Sequence, residues 1–434
     1  MSSERFEVVI VGAGLSGTAA AITLARAGVE VLVIERGDYP GAKNLFGGIL
    51  YSGVLAEIIP EFWDSAPVER HIVNRRWITL NEETQVALDL KSANFDVPPY
   101  NNTFTALRSK FDRWFAEQAE AEGAFIINET TVEELLLDDG RVTGVRTGRE
   151  DGDVQADCVI LAEGANALIS EAAGLRKPMS PSNRVNAVKE VLALPPEIIE
   201  DRFHLEGNQG AAFEYFGGAV KGMVGSGFIY TNKDSISVGV GCLIEDLLNT
   251  KTRPYELLDE FKAHPAVAPL LRGGETVEYS TKMIPEDSYN DLSDLYGDGV
   301  MLVGDCAGLV NPSIHHEGTN LAMASGVFAA EAFLEARDRK DFSRTGLASY
   351  RRRLDDSWVM KDLAHYRDAV HFLRTNREFV DDYQRLAVEL VRDYFTIDDT
   401  PKVEVRKRLI RKVRDEVAFL RFARQMWRAR KTLM

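Results

Sequence analysis

Glu7-Val8-Val9-Ile10-Val11-Gly12-Ala13-Gly14-Leu15-Ser16-Gly17 runs an apolar segment into three spaced glycines, and Val31-Leu32-Val33-Ile34-Glu35 follows as a second apolar segment ending in an acid. This is the pattern of strand, tight turn, helix and strand. Gly12 allows the turn, Gly14 lets the backbone approach a pyrophosphate, and Gly17 lets the helix pack closely on the strand. Leu15 and Ser16 open the helix, whose unpaired N–H groups and dipole favour a phosphate. Glu35 stands 23 residues after Gly12, near the roughly 20-residue spacing of a carboxylate that binds a ribose hydroxyl. Arg36 lies beside it. The stretch predicts a dinucleotide-binding βαβ unit.

A chain of 434 residues can bury a large core and divides into two or three parts. Its 45% hydrophobic and 27% charged content is that of a globular protein. Glu4, Arg5 and Glu7 precede a strand, so the N-terminus does not read as a signal peptide. No stretch is long and apolar enough to span a membrane, which leaves contact with a membrane surface open. Cys158, Cys242 and Cys306 show no C-x-x-C spacing and read as buried small hydrophobes, not as an iron–sulfur site. The net charge of −16 is unevenly spread: residues 401–434 hold 12 Lys and Arg against Glu404, Asp415 and Glu416, a balance of +9 that leaves −25 for the rest. A basic tail on an acidic body suits an acidic partner or an anionic membrane. Nucleic acid is disfavoured, since no aromatic platform accompanies the charge.

Further along, Gly37 to Gly53 forms a glycine-rich loop too long for a plain connector. Residues 68–98 read as short antiparallel strands, Arg108 to Gly123 as a helix, and Val132 to Val145 as a hairpin turned at Asp138-Asp139-Gly140. A buried strand at 157–162 enters Glu163-Gly164-Ala165. Residues 185–285 read as strands with many glycines, and the chain is helical from about Asn320.

A second motif narrows the dinucleotide to FAD. Val303-Gly304-Asp305-Cys306-Ala307-Gly308 follows a strand and precedes a helix near residue 320. Asp305 can hydrogen-bond a ribityl chain, and the helix N-terminus can face the pyrimidine edge of a flavin, where positive potential stabilises the reduced form.

These paired motifs resemble the FAD-binding fold shared by aromatic hydroxylases, geranylgeranyl reductases and electron-transfer flavoprotein:quinone oxidoreductases. Within that group Lys43-Asn44-Leu45-Phe46-Gly47-Gly48-Ile49-Leu50-Tyr51, Gly227-Phe228-Ile229-Tyr230-Thr231-Asn232-Lys233-Asp234 and Asn311-Pro312-Ser313-Ile314-His315-His316-Glu317-Gly318-Thr319-Asn320-Leu321-Ala322-Met323 resemble the FixC branch. The resemblance implies an α/β chain: a Rossmann-like FAD-binding domain of the glutathione-reductase/hydroxylase type (1–75, 100–184 and 286–335), an antiparallel quinone or substrate domain (76–99 and 185–285) and a helical C-terminal region (336–434). It also implies that Arg108, Lys43, Asn44, Gly47, Gly48, Gly164, Gly318, Thr319 and Asn320 line the cofactor with Gly304 and Asp305. Electrons would come from an electron-transfer flavoprotein through a small ferredoxin-like iron–sulfur protein and go to membrane quinone. The chain would act peripherally at the cytoplasmic face. Membership of an electron-bifurcating complex stays open.

Quinone reduction consumes two protons, and His315, His316 and Glu317 stand between the Asp305 motif and the following helix as a candidate relay or site lining. No second G-x-G-x-x-G is present, and Glu163-Gly164 departs from the Asp-Gly pattern of NADPH-using hydroxylases, so direct NAD(P)H oxidation is not expected. Two apolar segments are candidate membrane contacts: Gly217 to Tyr230 (Val220, Met223, Val224, Phe228, Ile229), and Val413 to Met434, where Val417, Leu420, Met426 and Trp427 interleave with arginines. The second suits a partner as well as lipid. The runner-up activity is saturation of isoprenoid double bonds, although that branch usually carries a cysteine where Asn44 to Gly48 stand here. A third reading is an assembly subunit holding FAD structurally.

Overall fold

The computed structural model describes residues 4–44, 48–286, 289–292, 294–313 and 316–433. The chain forms two compact units. The first comprises Met1–Glu69, Asn102–Arg184 and Met283–Arg367; the second comprises Arg70–Asn101, Val185–Lys282 and Asp368–Met434.

The first unit is built on a parallel sheet. The Glu4–Val11 strand pairs in parallel with Asp153–Leu161 on one side and Val31–Ile34 on the other. Val300–Leu302 and Phe125–Ile127 extend this sheet outward, again in parallel. Val8, Val9, Ile10, Cys158, Val159 and Ile160 are all fully buried. A parallel strand covered on both faces must be apolar at every position, which is why the sequence shows continuous apolar runs here rather than alternation. The Leu15–Arg26 helix packs on the Thr319–Arg339 helix at backbone contact distance: a Cβ on Gly326 would stand 2.1 Å from the Ser16 carbonyl oxygen. Small residues on both helices permit this, among them Ala19, Ala20, Ala329 and Ala330. The hairpin of Val132–Asp138 and Arg141–Thr147 turns through Asp139 (φ 46°) and Gly140 (φ 79°), the two left-handed positions of a type I′ turn.

In the second unit, Arg184–Ala193, Ser235–Leu243, Gly225–Thr231 and Gln209–Gly217 form an antiparallel run. Gln209–Gly217 then pairs in parallel with Val68–Leu80, which pairs antiparallel with Gln85–Lys91. Val188, Val238, Ile229, Phe213 and Ile78 share a core with Ile199, Phe203, Leu257, Leu258 and Phe261. Those last five lie on the helices Pro196–Phe203 and Pro254–Ala263, inside a stretch whose sequence reads as strands. Proline at the first helical position is the local signal for both.

Glycine-rich Gly217 to Tyr230 is not a lipid-facing segment. Val220, Met223, Val224, Phe228 and Ile229 are all buried, Val220, Met223 and Ile229 in the core just described. Its neighbouring glycines make room for rings: a Cβ on Gly239 would lie 2.3 Å from Phe228 Cζ. The helical stretch from residue 336 does not stand alone either. Its part up to Arg367 is counted with the first unit, and Asp368–Met434 with the second.

Within that last segment the helices Lys402–Glu416 and Phe419–Thr432 leave Ile410, Phe419, Leu420 and Trp427 exposed, Leu420 at 84%. No helix among the described residues is long and apolar enough to cross a membrane.

Candidate cofactor site

The C-terminal ends of three adjacent parallel strands meet in the first unit, where open α/β sheets bind their ligands. Val11 leads into Gly12, Leu161 into Ala162 and Glu163, and Leu302 into Gly304. Gly12 has φ 104°, and a Cβ there would stand 2.5 Å from the Ala162 carbonyl oxygen. A Cβ on Gly17 would stand 2.1 Å from the Gly12 carbonyl oxygen, and one on Gly304 (φ 66°) 2.8 Å from Ser16 Oγ. Protein therefore demands glycine at these three positions.

Gly14 and Gly164 behave differently. A Cβ on either would meet nothing within 4 Å, and one on Gly318 would touch only Val310 Cγ1 at 3.9 Å. Gly14 is the N-cap of Leu15–Arg26 and Gly318 that of Thr319–Arg339; neither helix has a side-chain cap or an acidic residue in its first turn. Two helix N-termini thus keep their positive potential for a ligand. Uncapped ends beside glycines with open space form a cradle that an anionic dinucleotide fits.

Glu35 is buried, with Oε2 accepting from the Ala13 N–H (3.0 Å) and Oε1 from the Gly37 N–H (2.7 Å). It locks the fingerprint turn to the following loop while each oxygen keeps acceptor capacity for a ribose hydroxyl. Arg36 and Lys43 are exposed.

The glycine-rich loop is fixed by a residue the sequence reading passed over. Asp112, 1% exposed, accepts from Arg108 Nε at 2.6 Å and Nη2 at 2.8 Å, and from Asn44 Nδ2 at 3.2 Å. Gly41 (φ 95°) sits against the same helix, where a Cβ would lie 2.7 Å from the Arg108 carbonyl oxygen, and Arg113 covers the Tyr39 ring at 3.9 Å. The Arg108 guanidinium is thus held by Asp112, and Asn44 by the same carboxylate. The spacing of Arg108 and Asp112 at i and i+4 was the available signal.

Thr319 and Asn320 use their side chains on the protein. Thr319 Oγ1 accepts from the Tyr51 N–H (3.0 Å), and Asn320 Oδ1 accepts from the Val54 N–H (2.9 Å) while its Nδ2 donates to Glu317 Oε1 (3.3 Å). They pin the Gly48–Tyr51 strand, and with it Gly48, to the start of the long helix. At the Asp305 turn, the Gly304 N–H donates to Ser325 Oγ (2.9 Å), and Arg176 Nη1 donates to the carbonyls of Asp305 (2.8 Å) and Cys306 (2.6 Å). Neither Ser325 nor Arg176 was singled out from sequence, because both act across long chain separations. Glu163 caps the short helix after it, accepting from the N–H groups of Ile169 and Ser170, both at 2.8 Å.

His316 is exposed with φ 45°, its N–H donating to the Ser313 carbonyl at 3.0 Å; the Glu317 carbonyl accepts from the Asn311 N–H at 2.9 Å. His315 and Gly47 lie outside the described residues. The three cysteines are buried and unpaired, and burial pushes the Cys158 and Cys306 thiols up to about 12.

Comparison with known proteins agrees with this cradle. A family profile described as FAD binding domain matches residues 5–205. One described as ETF-QO, ubiquinone-binding matches residues 188–284, and the ETF-QO/FixC family C-terminal domain matches residues 369–433. Protein FixC of Bradyrhizobium diazoefficiens is 46% identical over 94% of both chains. The Escherichia coli (strain K12) protein named "Probable electron transfer flavoprotein-quinone oxidoreductase YdiS" is 41% identical, over 94% of this chain and 95% of its own. Among solved structures, a geranylgeranyl bacteriochlorophyll reductase-like protein of Thermoplasma acidophilum superposes with a TM-score of 0.73 at 21% identity, over 96% of this chain and all of that one; at that identity it shows the fold. FAD is the cofactor that the cradle and the matching FAD binding domain specify together. The chain belongs to the ETF-QO/FixC family, as a FAD-dependent oxidoreductase with quinone as acceptor.

Proposed function

We propose that this chain takes electrons from an electron-transfer flavoprotein, through a small ferredoxin-like iron–sulfur protein, and delivers them to membrane quinone at the cytoplasmic face. What carries this reading is the pairing, in one chain, of an uncapped glycine cradle in the first unit with a second unit whose sheet carries the ubiquinone-binding match at 188–284. When bound, FAD supplies the redox chemistry, accepting electrons singly or in pairs and releasing them to the acceptor.

The protein binds, orients and tunes. The N-termini of Leu15–Arg26 and Thr319–Arg339 offer positive potential, Glu35 takes the ribose, and Asp305 takes the ribityl chain. The Asp112-anchored loop, with Arg108, Lys43, Asn44, Gly47 and Gly48, closes around the cofactor. We assign proton delivery for quinone reduction to His315, His316 and Glu317. The quinone side comprises residues 76–99 and 185–285, and residues 336–434 supply docking.

An iron–sulfur wire supplied by another chain agrees with the cysteines. A [4Fe–4S] cluster takes four thiolates, whereas this chain has three cysteines, each buried in a different element. The basic Lys402–Glu416 and Phe419–Thr432 helices suit an acidic ferredoxin-like partner and peripheral contact with anionic lipid.

The donor is tested by anaerobic mixing of the FAD-loaded chain with NADH, NADPH or a reduced electron-transfer flavoprotein together with its ferredoxin-like partner. Bleaching of the flavin by the protein donors, at a rate at least about 100-fold above that with either nucleotide, is the expected result. Bleaching by a nicotinamide nucleotide alone would count against the reading.

A further inference from the structure

The second unit contains an apolar cavity of about 320 Å³ that no part of the cofactor site uses. Its floor is Phe216 and Thr79, directly opposite one another on paired strands. Phe379, Tyr383, Phe422 and Met426 line it from the C-terminal helices. The Tyr383 and Phe422 rings stand edge to face, 5.1 Å apart at 88°. These walls are held in place by polar contacts. Tyr383 OH donates to Gln425 Oε1 at 2.6 Å, and Gln425 Nε2 donates to Asn376 Oδ1 (3.2 Å) and Glu378 Oε2 (3.3 Å).

Gln384 also lines the cavity, and it is chemically distinctive. Its Nε2 donates to the Phe379 carbonyl at 3.0 Å, which fixes the orientation of the amide, since a flipped group would set oxygen against oxygen. That leaves Oε1 as the outstanding atom: it is shut from solvent and has no hydrogen-bond partner among the described residues. A buried acceptor left unpaired costs free energy that a ligand carrying a donor would recover. Aromatic walls around one orphan acceptor therefore select a flat apolar molecule that bears an O–H or N–H.

We propose that this cavity is a second quinone-family site, selective for the reduced quinol. The inference rests on the quinone reading above. Phe216 lies in the segment matched as ubiquinone-binding, and Phe379, Tyr383, Gln384, Phe422 and Met426 lie in the matched ETF-QO/FixC C-terminal domain. A quinol has two hydroxyl donors, one of which Gln384 Oε1 can accept. A quinone has only carbonyl acceptors and gives that atom nothing. The site distinguishes product from substrate and holds the quinol apart from the flavin.

The test is anaerobic titration calorimetry on the FAD-loaded full chain. A decyl-tailed benzoquinol is titrated into protein with reduced flavin, and the matching quinone into protein with oxidised flavin, so that neither pair reacts. Two quinols and one quinone per chain are expected. Gln384→Leu, which removes the acceptor, and Ala387→Trp, which fills the mouth, each weaken the second quinol at least about fivefold. Both leave the rate of flavin reoxidation by quinone within twofold of the parent. A single quinol per chain, a second quinone, or a second quinol indifferent to both substitutions would overturn the proposal. If quinone reoxidises the parent flavin normally in any of these cases, this inference alone fails. If quinone neither binds nor reoxidises the flavin, the quinone reading falls with it.

Discussion

Gly14→Glu is expected to give a folded, colourless protein. Gly14 has φ −80° and ψ −175°, a conformation open to any L-residue, and a Cβ there meets nothing within 4 Å. The added side chain therefore strains no backbone and displaces no protein atom. It enters the space kept for the pyrophosphate and places a carboxylate at the helix N-terminus where the phosphates would sit. FAD affinity should fall at least about 100-fold, roughly 3 kcal/mol, with the thermal midpoint of the FAD-free protein within a few degrees of the FAD-free parent. Gly12→Ala should fail in the opposite way. With φ 104° and the Ala162 oxygen 2.5 Å from the new Cβ, the substitution strikes the fold before it strikes the ligand. Low soluble yield or an early melt is expected there. Flavin absorbance per chain and thermal melts of the FAD-free forms separate the two behaviours; flavin retained in full by Gly14→Glu would refute the cradle.

The second large effect is expected at Asp112. Asp112→Ala leaves the Arg108 guanidinium, 13% exposed, without its bidentate partner and releases Asn44. Removing one member of a buried ion pair costs about 3–5 kcal/mol, because the remaining charge stays desolvated. A fall in Tm of about 6–12 °C should follow, read by differential scanning calorimetry. Arg108→Met combined with Asp112→Leu replaces the pair by apolar groups and should recover most of that loss. FAD affinity then separates two roles for Arg108. If the arginine only anchors the loop, affinity returns with stability; if it touches the cofactor, affinity stays low in the stable double variant. The account predicts the second outcome.

The fingerprint could be read from sequence because its constraints are local. Gly12, Gly17 and Glu35 act on backbone within a few turns of themselves, so their spacing carries the geometry. The same holds for the Asp139-Gly140 turn, where two left-handed residues show themselves by type. Asp112 escaped notice because its importance appears only when the Gly37 to Gly53 loop lies on the helix that carries it, a contact no periodicity encodes. Ser325 and Arg176 were hidden for the same reason, being 21 and 129 residues from the atoms they hold. Gly217 to Tyr230 misled in a different way. Apolar residues among glycines suit a lipid surface as well as a crowded sheet, and only the rings of Phe228 and Phe261 packing against Gly239 and Gly227 distinguish the two. Composition records how apolar a segment is, not what covers it.

The central claim is that electrons leave this flavoprotein to quinone. Anaerobic stopped-flow mixing tests it most directly: the chemically reduced, FAD-loaded chain is mixed with a short-tail benzoquinone and, separately, with a polyprenyl alkene. The account predicts rapid return of the oxidised flavin spectrum with the quinone and none with the alkene. Reoxidation by the alkene, or a flavin that stays reduced in the presence of quinone, would contradict it.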